Sequence, residues 1–131
     1  MLRRRLAGPM PSLQAYVGAE LEADALRRDL TAYFARYHVL LCPTVPVPAP
    51  PHEAPDCVVE GERLPSRHVA RTTAPFNVTG SPALSVPFGL SPEGLPLGVQ
   101  VVGRHFDEAT VLRVGRALET RSDAGRRLPS V

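Results

Sequence analysis

The 131-residue sequence predicts an α/β protein, and three observations carry the prediction. One is a long breaker-poor stretch with helical apolar spacing. Another is a pair of strand-like runs separated by turn residues. The third is a C-terminal segment with its own capping signal and amphipathic face.

The first element is an amphipathic helix expected over Ser12 to Tyr37, where strong helix formers predominate and Leu26, Leu30, Tyr33 and Tyr37 are spaced to share one face. Val39-Leu40-Leu41 then reads as a short buried strand that stops at Pro43. Residues 43 to 55 hold six prolines, which remove backbone donors and fix φ, so an extended crossing is expected rather than helix or inner strand. Residues 56 to 71 are polar and irregular and are assigned to a loop.

Downstream, Asn77, Gly80 and Pro82 suggest a compact turn in which Gly80 takes a positive φ and Pro82 sets the exit into a strand. Ala83 to Phe88 and Leu97 to Val102 are the two strands of an expected hairpin. The second is apolar on both sides, with only Gln100 breaking the run, as in a strand covered on both faces. A final helix is expected from Asp107 as N-cap to about Thr120. Phe106 is placed as a hydrophobic staple on Val111, and Val111, Leu112, Gly115 and Leu118 as the buried face.

Composition narrows the function. The 44% hydrophobic and 21% charged content is that of a folding chain, with one domain as the expectation. A net charge of +2, dispersed arginines and few aromatics argue against a nucleic-acid surface. No apolar run approaches the roughly 18 residues of a membrane span. Cys42 and Cys57 read as free thiols of a reduced, cytoplasmic protein.

All 15 basic residues are arginine, so no step needing a lysine amine can run on these residues. Gly-x-Ser-x-Gly is absent, Ser-x-x-Lys is impossible, and Ser81 and Ser85 read as turn and strand residues. His38, His52, His68 and His105 are scattered without metal-ligand spacing, so neither metal nor cofactor is expected. The acidic residues Glu53, Asp56, Glu60 and Glu62 read as a solvated loop. Nothing in the sequence points to a depressed thiol pKa that would make either cysteine a nucleophile.

Three segments in order resemble the C-terminal portion of the amidase-signature family: Leu40-Leu-Cys-Pro-Thr44, the stretch Thr73-Ala-Pro-Phe-Asn-Val-Thr-Gly-Ser-Pro-Ala-Leu-Ser-Val-Pro-Phe-Gly89, and Gly94-Leu-Pro-Leu-Gly-Val-Gln-Val-Val-Gly103 with the helix after it. The resemblance implies part of a mixed twisted sheet flanked by helices, so that residues 1 to 131 form one partial domain. It implies a parent that hydrolyses carbon-nitrogen amide bonds with a Ser/cis-Ser/Lys triad. Nothing here resembles that triad, so no catalytic residue is assigned and the chain alone is expected to be inactive.

By the same resemblance Thr44, Thr73 and Phe76 are positions for a substrate-pocket wall, and a small amide is the substrate expected of a complete enzyme. The family's transamidation members carry an Asp where this chain aligns Ala70, which favours a general amidase parent. The alternative is a stand-alone, non-catalytic subunit that pairs with a separately encoded N-terminal part. Unpaired strand edges would then favour that pairing or a homodimer.

Overall fold

The computed structural model describes residues 10–122. Helix α1 spans Leu13–Arg36, and Ser12 caps it by accepting a hydrogen bond from the Ala15 N–H at 3.1 Å. The helix stops where Tyr37 turns extended, just before strand β1 (Val39–Pro43). Only its C-terminal half is packed: Phe34 is 2% exposed, whereas Leu13 is 78% and Leu21 64% exposed. The buried face runs through Leu30 and Phe34. Tyr37, expected on that face, lies past the helix end and is exposed, because the apolar stripe centres on Phe34, a residue the spacing argument passed over.

The loop assigned to residues 56 to 71 is corrected. Strands β2 (Asp56–Val59) and β3 (Glu62–Pro65) pair antiparallel around Glu60 and Gly61, whose φ values of 51° and 84° make the two-residue turn that suits strand twist. A 3-10 helix, Ser66–Thr72, follows. The sequence hid the hairpin because a glutamate occupies the left-handed position where Asn or Asp would have signalled it. Between β1 and β2 no regular element forms, in keeping with the prolines.

Helix α2 (Ala74–Thr79) replaces part of the expected turn: Asn77 is helical, while Gly80 does take a left-handed φ of 74° as C-cap and donates its N–H to Phe76 O.

Strands β4 (Ala83–Leu90) and β5 (Pro96–Gly103) complete a three-stranded sheet in the order β1-β5-β4, with antiparallel pairings throughout. The α/β class expected from the sequence is the class observed. The hairpin is longer than its apolar cores: the Ser91 N–H donates to Leu95 O at 2.8 Å and Gly94 takes φ 83°, so the turn occupies residues 91 to 95.

Helix α3 (Glu108–Arg121) starts as expected at Asp107, whose carboxylate accepts from the Thr110 N–H. The staple does not form. Phe106 has φ 63° and is 95% exposed, because the left-handed backbone swings its ring away from Val111. Leu112, expected inside, is 60% exposed; Val111 and Gly115 are buried, with Val114 and Leu118 packed beside them.

As the apolar run of β5 predicted, both of its faces are covered. Val102 packs with Phe34 of α1 and with Phe76, while Val101 packs with Val86 and with Val111 of α3, and both valines are fully buried. Two core clusters therefore lie on opposite sides of one strand.

Candidate functional site

On the α1 side of the sheet the character of the side chains changes along the strands. The antiparallel register places Leu40, Val102 and Ala83 in one row, Cys42, Gln100 and Ser85 in the next, and Thr44 beside Gly98 beyond them. The first row lies at the α1 core, the second carries Gln100 and Ser85, and the third carries Thr44 with Gly98 and Pro87. Strand alternation alone creates this arrangement, since each row is separated from the next by two residues.

A continuous hydrogen-bonded network holds the polar rows. Thr44 Oγ1 and Ser85 Oγ are 2.7 Å apart, and the Thr44 N–H donates to Gly98 O at 3.0 Å. Thr72 Oγ1 donates to Thr44 O at 2.6 Å, tying the 3-10 helix to the end of β1. Gln100 is 4% exposed, and its Nε2 donates to Thr72 O at 3.2 Å and lies 3.4 Å from Cys42 Sγ. Gly98 is required beneath the hydroxyl pair, because a Cβ there would stand 2.9 Å from Ser85 Oγ and 3.0 Å from Thr44 Oγ1.

Near the same end of the sheet is a groove of about 770 Å3, lined by residues 41–43 and 45–49 and by the two hairpin arms at residues 88–92 and 96–99. Its walls are almost wholly apolar. Leu41 is 49% and Phe88 54% exposed there, which is the appearance of a surface that another polypeptide segment or a ligand would cover.

Charge plays little part in these two features. The 3-10 helix holds His68 with its Nδ1 sealed from solvent and without a hydrogen-bond partner; desolvation, then the nearby Arg71 and Arg67, lower its pKa below the usual imidazole value. Glu93, in the β4–β5 turn, has its pKa lowered by the Ser91 side chain and its own backbone N–H. Cys42 and Cys57 are both free thiols, and no cluster of metal-ligating side chains occurs among the described residues.

The residues singled out from the sequence fall in different places. Thr44 is part of the hydroxyl pair. Thr73 is half-buried at the junction of the 3-10 helix and α2, next to Thr72 of the network, and its Oγ1 donates to Ala70 O at 3.0 Å. Phe76 is 8% exposed and packs in the core with Phe34 and Val102. Sequence reasoning passed over Ser85, Gly98 and Thr72. Gln100 was the available signal, the one polar residue in an apolar strand, and its cross-strand neighbours Cys42 and Ser85 follow only from the register.

With sheet, polar rows and groove defined, comparison with known proteins places the chain. The amidase family model matches residues 3–112, and the chain belongs to that family. A glutamyl-tRNA(Gln) amidotransferase subunit from Bacillus cytotoxicus is 38% identical over 112 residues, covering 82% of this chain and 21% of that protein. A solved amidase structure superposes with a TM-score of 0.80 at 36% identity, over 89% of this chain and 27% of its own. The corresponding amidotransferase subunit of Thermotoga maritima gives a TM-score of 0.65 at 34% identity, covering 83% of this chain and 23% of that one. The chain thus spans only about a fifth to a quarter of the length of these relatives, and it corresponds to a C-terminal portion of the amidase-signature fold. No helix among the described residues is long and apolar enough to cross a membrane.

Proposed function

We propose that this chain supplies one wall of an amide-hydrolysing site whose nucleophile and lysine lie on polypeptide outside these 131 residues. The observation that supports the reading is the polar network in which Thr44 and Ser85 share a hydrogen bond and Gln100 bonds Thr72, at the end of the sheet where Cys42 and Gly98 also border the uncovered apolar groove. In this reading Thr44 and Thr73 border the substrate, Phe76 supports that border from the core, and the chain alone does not turn over substrate. The substrate is a small amide. Identities of 36% to an amidase and 38% to a subunit of an amidotransferase are too close to separate the two parents, and Ala70 is the residue that favours the general amidase.

A second reading is favoured by the sheet edges. Both β1 and β4 have an unpaired side among the described residues, and an open edge recruits another strand. The chain would then complement a separately encoded N-terminal part, or pair with its own copy. A reduced, cytoplasmic setting suits both readings, since both thiols are free.

Immunoblotting of the source cells with an antibody raised against these residues distinguishes the readings. A band several times larger than a 131-residue chain, whose purified form hydrolyses amides, supports the first. A band at the size of the chain, with a second polypeptide bearing Lys and the serines co-purifying, supports the second. A small band with no such companion, no self-association on size-exclusion chromatography and no amidase activity rejects both.

A further inference from the structure

Helix α3 follows strand β4 along the sheet: Gly115 lies against Leu84, Leu118 packs in the cluster of Val86 and Val101, and the Ser122 hydroxyl donates to Phe88 O at 3.0 Å. Phe88 also lines the apolar groove, so the helix delivers the chain to the groove's rim. There Ser122 is extended, with φ −96° and ψ 128°, and the backbone has left its helical path. Leu41, Pro43 and Val99, which line the groove, lie on the α3 face of the sheet: Leu41 pairs with Val101 and Pro43 with Val99, and both valines pack in the α3 cluster. Gln100, Ser85 and, through its hydroxyl pair, Thr44 are on the other face, so filling the groove leaves the polar network uncovered.

The walls indicate what kind of segment fits. Pro43, Pro46, Pro48, Pro92 and Pro96 all line the groove, and a proline has no N–H to donate to an added strand. The groove therefore takes apolar side chains rather than a new ladder. The sequence beyond the described residues runs Asp-Ala-Gly-Arg-Arg-Leu-Pro-Ser-Val131, a polar stretch followed by Leu128-Pro129 and Val131. Crossing from β4 over β5 to β1 is two strand spacings, about 10 Å. The six residues from Ser122 to Leu128 reach up to about 20 Å when extended, so Leu128 can stand beside Leu41 with length to spare. Glu93, in the turn between the groove-lining Pro92 and Pro96, offers a carboxylate to Arg126 and Arg127. We propose that residues 124–131 run from Ser122 into this groove, where Leu128 and Val131 cover Leu41, Phe88 and Val99. The chain's own segment then holds the face beside α3, and a complementing polypeptide is left the sheet edges and the α1 face.

Nuclear Overhauser spectroscopy on the full 131-residue chain, methyl-labelled at Leu and Val, tests it. Cross-peaks are expected from the Leu128 methyls to those of Leu41 and to the Phe88 ring. Leu128→Asp should abolish them and shift the Leu41 and Val99 methyl resonances. Leu128→Met, which keeps the apolar length, should leave those resonances close to their original positions. Absent cross-peaks, or Leu41 and Val99 resonances that ignore Leu128→Asp, overturn the proposal. So do cross-peaks found only between differently labelled chains in a mixed sample, since they assign the groove to a second copy. Retained dispersion of the Val101 and Val102 resonances verifies that each variant keeps its core, and the cross-peaks of the unsubstituted chain decide the question even if one does not. No turnover is read and the groove is on the face opposite the hydroxyl pair, so either outcome stands apart from the hydrolase reading.

Discussion

Gly115 of α3 lies directly against Leu84 of β4, so close that a Cβ built on the glycine would overlap Leu84 Cδ2. The contact brings the helix onto the sheet at the cost of a residue with poor helix propensity.

Gly115→Ala sets two effects against each other. Alanine gains about 1 kcal/mol of helix propensity, while overpacking typically costs about 1–3 kcal/mol. Leu84 meets the new methyl with the tip of a flexible side chain, so the net loss should be small, below about 2 kcal/mol. In a Leu84→Ala background the clash is absent and Gly115→Ala should become stabilising. Urea midpoints of the four proteins of this double-mutant cycle give the coupling, and additive effects would show that the contact is not made.

Phe34 and Leu13 occupy the same helix but not the same environment. Phe34→Ala should cost about 3–5 kcal/mol, as expected for a truncated core aromatic. Leu13→Ser, at a 78% exposed position, should change stability by less than about 0.5 kcal/mol. Equal losses in denaturant unfolding would mean that the first half of α1 is packed.

At the start of α3 the two neighbouring residues should behave oppositely. Asp107→Ala removes the cap and should cost about 1 kcal/mol. Phe106→Gly should be neutral or stabilising by up to about 1 kcal/mol, because the left-handed φ of 63° strains a bulky residue and its exposed ring loses little packing. Thermal midpoints decide it, and a large loss in Phe106→Gly would restore the staple.

His68 predicts a pH dependence. Its folded pKa is lowered, so the unfolded chain binds the proton more readily, and protonation favours unfolding. The stability is fully present above the unfolded value of about 6.5 and is lost as pH falls through the lower folded value. His68→Gln should flatten the fall in urea midpoint between about pH 7.5 and pH 5. An unchanged slope would assign the acid sensitivity to other groups.

The parts of the fold legible in the sequence were those governed by local chemistry. Ser12 and Asp107 mark helix starts through side-chain oxygens that reach adjacent N–H groups, and the prolines exclude regular structure from the crossing whatever surrounds them. The β2–β3 hairpin was not legible, since Glu60 adopts its left-handed conformation only because the paired strands impose it. Thr44 was singled out by resemblance. Its partners Ser85 and Gln100 were not, because the sheet register joins them to it across long stretches of chain.

Residue identity and spacing over short distances were enough for the α/β class, the main helices and strands, the family, and the absence of a lysine amine. Packing in three dimensions was needed to centre the buried face of α1 on Phe34, to turn Phe106 outward, and to bring Thr44, Ser85 and Gln100 together over Gly98. Those outcomes depend on which strand lies beside which and on the space left between them, and neither is encoded in any single segment.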